Sequence, residues 1–473
     1  MTIRLSIPQL PGLQVSAAIF LSLCLAACGG GKDSATSTTS AAPALVSISI
    51  SPANPTIALG LTQQFAATGN YADGSSAAIT KDISWTSPGA VANIVQTTGL
   101  ATSKTMGTET ITATVGKVSS TTKLIVQGPY VAVSAGGSHS LVLKANGSVI
   151  SSGLNRTGQL GNGTANDQAA MAEMGTVSTW AQIASGEFHT VALRTDASLW
   201  SWGFNQNGQL GDASFVDKLN PTKIGSSTWI AIAAGKSHTV GIKKDGTLWA
   251  WGRNFYAQLG DGSVIDRVEP VQIGTAKNWT SVAAGASHTI ARRADGTIWG
   301  WGSNINGQVG FGPVISITTP TQIGTSTWVS IAAGQNHSIA IRADGALFTW
   351  GSNDQGQLGN STLSDRLNPS QIGTQTTWAS VAAGGKHSLA LKTDGSLWSW
   401  GANEDGQLGV GNNQTQLAPT QVGDAKTWKF VSAGLFHTIA VRTDGSLWVW
   451  GRNIEGQLGD SKRISLNIPT ALP

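Results

Sequence analysis

The chain predicts an all-β fold, a seven-bladed β-propeller with a small β-sandwich ahead of it, and three observations carry that prediction. Its only histidines, seven of them, fall at 139, 189, 238, 288, 337, 387 and 437, spaced 49 or 50 residues apart. A period near 50 marks a propeller or solenoid array. Each period also holds short alternating runs around a turn dipeptide, as in His387-Ser-Leu-Ala-Leu-Lys392, Asp394-Gly395 and Leu397-Trp-Ser-Trp-Gly401. Asp-Gly between alternating runs signals a β-hairpin, read here as a type I′ turn. Finally, no window sustains a helical hydrophobic period.

Residues 1–27 read as a secretory signal. Arg4 is their only charge, and the apolar run Ala17–Leu25 is too short for a stable membrane span. The run ends in Leu25-Ala26-Ala27-Cys28-Gly29, which resembles the lipobox of bacterial lipoproteins. That resemblance implies that Cys28 carries lipid and anchors the mature chain to a membrane. Gly29, in place of the Asp that favours inner-membrane retention in enteric bacteria, points to the outer membrane or cell surface. Cys24 would leave with the signal, so the mature chain has neither a free thiol nor a disulfide. Residues 28–44, rich in Gly, Ser, Thr and Ala, form a flexible tether with a reach of roughly 20–25 Å.

Residues 45–127 form a separate β-domain. Val46-Ser-Ile-Ser-Ile50, Ile111-Thr-Ala-Thr-Val115 and Thr122-Lys-Leu-Ile-Val126 alternate, and Pro52, Pro55, Gly60, Asp73-Gly74 and Pro88-Gly89 punctuate them. Trp85 is a core candidate. With Gln63-Gln64-Phe65, Tyr71-Ala-Asp-Gly74 and Gly107-Thr-Glu-Thr-Ile-Thr-Ala113, the segment resembles a bacterial immunoglobulin-like domain of group 2. The resemblance implies a spacer or adhesive module of surface proteins.

Residues 129–473 hold the repeats. A unit reads Ala-Ala-Gly-x-x-His-[Ser/Thr], then Asp-Gly-x-Leu-Trp-x-Trp-Gly-x-Asn-x-x-Gly-Gln-Leu-Gly. Of 18 tryptophans, all but Trp85 lie here, and rings two residues apart share one strand face. One ring per blade suits a wedge between sheets. The first unit departs, with Tyr130 at the first Trp position and Ile150-Ser-Ser152 for Trp-x-Trp. The chain ends where another Trp strand would begin, so the segment at about 130–135 is expected to pair beside C-terminal strands and close the ring. The unit resembles the regulator of chromosome condensation (RCC1) repeat and implies a seven-bladed propeller. It says little about function, since members include an exchange factor for a nuclear small GTPase, domains of ubiquitin ligases and bacterial inhibitors of β-lactamases.

Charged residues are 11% of the chain, well below the usual figure near 25%. Net charge is +4, and basic residues adjoin only at Lys243-Lys244, Arg292-Arg293 and Lys462-Arg463, so no concentrated patch for nucleic acid exists. The histidines lie one per repeat and cannot converge on a metal, whose ligands must sit about 2 Å from one point. Their expected role is hydrogen bonding to backbone at the inner strand or blade junction. Gly-Gln-Leu-Gly lacks the Lys-Ser/Thr of a phosphate loop and reads as a turn. No catalytic set, cofactor site or metal site emerges, and the chain is expected to be a monomeric binding protein and not an enzyme.

Function is expected where the repeats differ. Alternating strand direction places the Gly-x-x-His turns and Gly-x-Asn-x-x-Gly loops on one face. The variable slots there hold Glu187, Phe188, Phe204, Arg253, Phe255, Tyr256, Ile305, Leu435, Phe436, Arg452 and Ile454. Aromatic and arginine side chains on loops suit recognition of a protein partner, whose identity the sequence does not name. The alternative classes are an enzyme or hydrolase-directed inhibitor and, last, a GTPase exchange factor.

Overall fold

A computed structural model describes residues 43–105 and 107–472; the expected signal, Cys28 and most of the expected tether lie outside the described residues. Residues 45–127 form three small sheets. Their inward-facing side chains, among them Ile48, Phe65, Trp85, Ile111 and Leu124, build one apolar core. The alternation in Gly107–Val115 and Val118–Gln127 is what lets one face of that hairpin bury while the other meets water. Glu109 is the exception, a carboxylate buried beneath a loop. It accepts hydrogen bonds from the backbone N–H groups of Gly89, Ala90, Val91 and Ala92 at 2.5–3.2 Å, so its charge is fully solvated by the chain.

Seven four-strand meanders follow, all antiparallel. The fourth blade is representative, with strands Trp279–Ala284, His288–Arg293, Ile298–Ser303 and Ser316–Gln322. One strand, Lys218–Ala234, runs on without a break, so its first half ends the second blade and its second half begins the third. In every blade the histidine opens the second strand and faces a glycine of the third, as His288 faces Gly302. That glycine is obligatory: its φ is +96°, and a Cβ there would meet the Ser287 carbonyl oxygen at 2.6 Å.

The Asp-Gly hairpins differ from the expected type I′ turn. The aspartates keep negative φ and only the glycine is left-handed, at +79° for Gly395. The Gly395 N–H bonds to the Lys392 carbonyl and the Lys392 N–H to the Ser396 carbonyl. This is a type I turn closed by a glycine bulge, the three-residue hairpin loop. Asp394 is chosen for its side chain, which accepts from the Ser396 N–H at 3.0 Å and from its hydroxyl at 2.6 Å. The same hydroxyl accepts from Trp398 Nε1 at 3.0 Å, so the turn residue also orients the indole.

The expected ring closure also needs correction. Tyr130–Ala135 pairs with His139–Lys144 in its own blade, and the last blade supplies its own four strands from Trp428 to Ala471. No strand is shared between the ends. The junction is made as the other six are: His437 meets Ser140, the Ser461 N–H bonds to the Ala169 carbonyl, and the Leu435 N–H to the Gly136 carbonyl. Each blade is continuous in sequence, so closure requires contact between blades and no exchange of strands.

The second ring of each Trp-x-Trp pair is the wedge. Trp202, Trp251, Trp301, Trp350, Trp400 and Trp450 are fully buried, each against the preceding blade. Trp301 Nε1 donates to the Gln258 carbonyl at 2.9 Å across the junction. At the seam between the seventh and first blades the ring is missing. Ser152 donates to the equivalent Gln457 carbonyl at 3.3 Å, and Met171 packs against Gly459 in the vacated space. Trp301→Ala should therefore cost about 3–5 kcal/mol of stability. Chemical denaturation would show it as a lowered midpoint, and a loss below about 1 kcal/mol would remove the wedge role.

Candidate functional site: the loop face of the propeller

The face is built on a relay that repeats at every junction. His139 Nε2 lies 3.2 Å from Thr190 Oγ1 of the next blade, and that hydroxyl donates to the Gln159 carbonyl at 2.9 Å. The same pattern joins His189, Thr239 and Gln209, and continues to His437, Ser140 and Gln457. The partner is thus a side-chain hydroxyl and not the expected backbone, though the hydroxyl hands the connection on to a backbone carbonyl. A hydroxyl has one proton, which the carbonyl takes, so the imidazole must donate from Nε2. Nδ1 is then a bare acceptor, and it has no hydrogen-bond partner at any of the seven positions. The rings lie against these glycine turns; a Cβ at Gly285 would clash with Cε1 of the His288 ring.

Burial pushes His139, His189, His238, His288 and His387 down to about 3, and His337 and His437 down to about 4. All seven are neutral at physiological pH, fully buried and each in a different junction. No group of three or more His, Cys, Asp or Glu residues able to hold a metal occurs among the described residues.

Above the relay, the first-strand ends line a central channel. Around its mouth backbone N–H groups bond from blade to blade, from the Gly137 N–H to the Gly186 carbonyl and onward to the Leu435 N–H and the Gly136 carbonyl. The Gly-x-x-His turns and Gly-x-Asn loops do share this face. They are tied directly, the Phe204 N–H to the Phe188 carbonyl at 2.9 Å and the Arg253 N–H to the Ser237 carbonyl at 2.8 Å. Each loop is held from within by its asparagine. Asn254 Oδ1 accepts from the Leu259 N–H, and its Nδ2 donates to Asp261 and to the Ser263 carbonyl. The amide fills the centre of the loop and leaves residues 255 and 256 at its tip.

The proposed recognition residues fall into two sectors. In the second to fourth blades, Phe255 is 64% exposed with Tyr256 edge-on to it at 4.9 Å, and Ile305 is 60% exposed. Arg253 lies 6.0 Å from the Phe255 ring. Phe188 and Phe204 instead pack on each other at 6.4 Å and are half-buried. No ring contact joins that pair to Phe255 or Tyr256 among the described residues, so these aromatics form two separate groups. Glu187 is largely covered and pairs with Lys236 of the next blade at 3.2 Å. In the seventh blade Ile454 is 54% exposed and Arg452 lies over Phe436 while bonding Glu455, with Leu435 half-buried at the channel mouth.

The fifth and sixth blades put charge in the same slots: Asp354, paired with Lys386, then Glu404 and Asp405. Asp405 is raised by burial and by its neighbours Glu404 and Glu455, with Arg452 opposing. These slots thus carry acidic residues in the fifth and sixth blades where the third, fourth and seventh carry Phe255, Ile305 and Ile454. Two contributors escaped the sequence reading, the Ser or Thr after each histidine and the Gln of Gly-Gln-Leu-Gly. Both recur in every repeat, and their signal was visible as that recurrence.

Closed by contacts between sequence-continuous blades, with a histidine at every junction, the molecule is a repeat-built β-propeller. The RCC1-like domain model matches residues 85–372 and 274–473, and the chain belongs to that family. Human WBSCR16 is similar in structure, with 21% identity over 69% of this chain and 94% of that one and a TM-score of 0.64. Prp20p from Saccharomyces cerevisiae, described with its binding to Gsp1p and histones, gives 23% identity, coverage of 70% and 87%, and a TM-score of 0.64. Such identities speak for the fold alone. Ice-binding protein 1 of Shewanella frigidimarina is 40% identical over 94 residues, 20% of this chain. The chain spans only 10% of that relative's length.

The relay has a consequence in acid. The unfolded chain protonates its histidines below about pH 6.5 while the folded chain refuses them until about 3–4. Stability is therefore complete above pH 6.5 and lost as pH falls. The slope approaches about 1.4 kcal/mol per pH unit for each histidine. Denaturant midpoints measured from pH 7 to pH 4.5 should fall steeply, with uptake of about one proton per histidine on unfolding at pH 5. A flat profile over that range would mean that the rings are not buried neutral.

Proposed function

We propose that this chain is a lipid-anchored cell-envelope protein that recognises a protein partner through the loop face of its propeller. Membership of the RCC1-like family supports recognition over catalysis, and Prp20p, a propeller of the same fold, is described with protein partners. The observation that carries the reading is the exposure of Phe255, Tyr256, Ile305 and Ile454 on loops whose bases are rigidly bonded. Large apolar side chains held in place at loop tips lose little entropy on binding and match the composition of interface hot spots.

The domain at 45–127 is the spacer in this reading, an immunoglobulin-like module between the anchor and the propeller. Its support is the motif set of the sequence together with a core of its own around Trp85 and Phe65. Cys28 is the lipid-bearing residue, in an envelope location on the outer membrane or cell surface.

Two experiments test the parts separately. Cys28→Ser should abolish incorporation of labelled palmitate and move the chain from membrane to soluble fractions; persistent labelling would discard the anchor. Phe255→Ser with Tyr256→Ser should leave the unfolding midpoint nearly unchanged, within about 0.5 kcal/mol, because both side chains are exposed. Crosslinking in intact cells should lose its main protein adduct in that variant. An unaltered adduct would move recognition off this face.

A further inference from the structure

The loop face carries a groove between the third blade's loop tip and the turns that precede the histidines of the third, fourth and fifth blades. It is lined by Arg253 and Tyr256 of the loop and by Lys236, Ser237, Ser287 and Asn336 of the turns. Its volume is about 610 Å³, and it is open to solvent. Ligand clefts span about 300–1,000 Å³. Two cations line it and no carboxylate does.

Its polar side chains lack partners. Arg253 is half-buried, and its guanidinium, 6.0 Å from the Phe255 ring, makes no hydrogen bond or ion pair among the described residues. Ser237 is 7% exposed, and Ser287 and Asn336 are half-buried. None of their side-chain polar atoms has a hydrogen-bond partner among the described residues, yet those atoms reach solvent, so a ligand in the groove can meet them.

The seventh blade shows what such an arginine lacks. Arg452 occupies the same slot, is equally half-buried, and bonds Glu455 at 3.3 Å within its own loop. The third blade has Tyr256 in the place of Glu455. Other cations of the face are also met: Lys386 pairs with Asp354, and Lys236 with Glu187 at 3.2 Å. Arg253 is thus a partly desolvated cation set for a carboxylate that its own loop does not provide, and leaving such a charge unpaired is costly.

We propose, resting on protein recognition through the loop face, that this groove receives a glutamate or aspartate side chain of the partner. Arg253 would hold the carboxylate by paired N–H donors. Ser237, Ser287 and Asn336 would donate to its remaining lone pairs. An apolar residue beside the acid would lie on Phe255 and Tyr256 at the loop tip. With Lys236 balanced by Glu187, one positive charge is unmet. A carboxylate matches it, whereas a phosphate group brings about −1.5 to −2.

Titration of the full chain with acetyl-Leu-Glu-Phe-amide and acetyl-Leu-Asp-Phe-amide, followed by the Arg253 Nε–H and Asn336 side-chain amide resonances, tests this. At least one peptide should shift both saturably, with affinity on the order of millimolar or tighter. The Gln or Asn counterpart of that peptide should bind about tenfold more weakly, and Arg253→Gln should cost the acidic peptide about tenfold. Absence of a saturable shift overturns the proposal, as does equal binding of the neutral peptide or equally tight binding of inorganic phosphate. In intact cells Arg253→Gln should lose the crosslinked protein adduct. An adduct kept by Arg253→Gln but lost on Phe255→Ser with Tyr256→Ser would overturn the groove and leave recognition by the face standing. An adduct kept by both variants would overturn the face, and the groove with it.

Discussion

The contact on which the ring depends is the three-part bond at each blade junction, from imidazole to hydroxyl to backbone carbonyl. Within a blade the strands satisfy most of one another's backbone groups, and only the turns at the blade ends bond directly to the neighbouring blade. Neighbouring sheets are otherwise joined mainly by packing, which is strong but has little directional preference. The relay adds direction. His139 belongs to one blade and Thr190 to the next, and the Gln159 carbonyl that completes the bond returns to the first. Registering two sheets this way fixes their angle, and seven equal angles close a circle. The loop face inherits its rigidity from this, since each Gly-Gln-Leu-Gly turn is both a relay member and the base of a recognition loop.

Much of the fold was legible because repetition amplifies weak signals. One Asp-Gly pair suggests a hairpin; seven near-copies in phase with histidines leave little alternative. Sequence and structure part where the outcome depends on geometry that residue type does not specify. Asp-Gly fits both a type I′ turn and a type I turn with a bulge, and the second lets the Ser396 N–H donate to the Asp394 carboxylate. By sequence Tyr130 fits either end of the ring, and its pairing with Lys144 places it in the first blade.

The candidate face was legible in a different sense. Variable slots against a fixed repeat identified the residues, and alternating strand direction placed them together. Which of those side chains reach solvent was beyond the pattern. Phe204 precedes its loop asparagine and packs half-buried on Phe188, while Phe255 follows its own and stands at the tip beside Tyr256 and Arg253. Ring-to-ring distances of this kind arise from the identity of the residue just before the blade's own histidine. No period encodes them.

The missing tryptophan at the seam makes the ring mechanically uneven. Six junctions are held by a buried indole, and the seventh by Ser152 and Met171. A methionine thioether is flexible and covers less area than the indole it replaces. Since no strand crosses that seam, parting it unravels no sheet. Under tension between its two ends, the propeller would therefore open there as a hinge, exposing one relay and leaving seven intact blades able to close again.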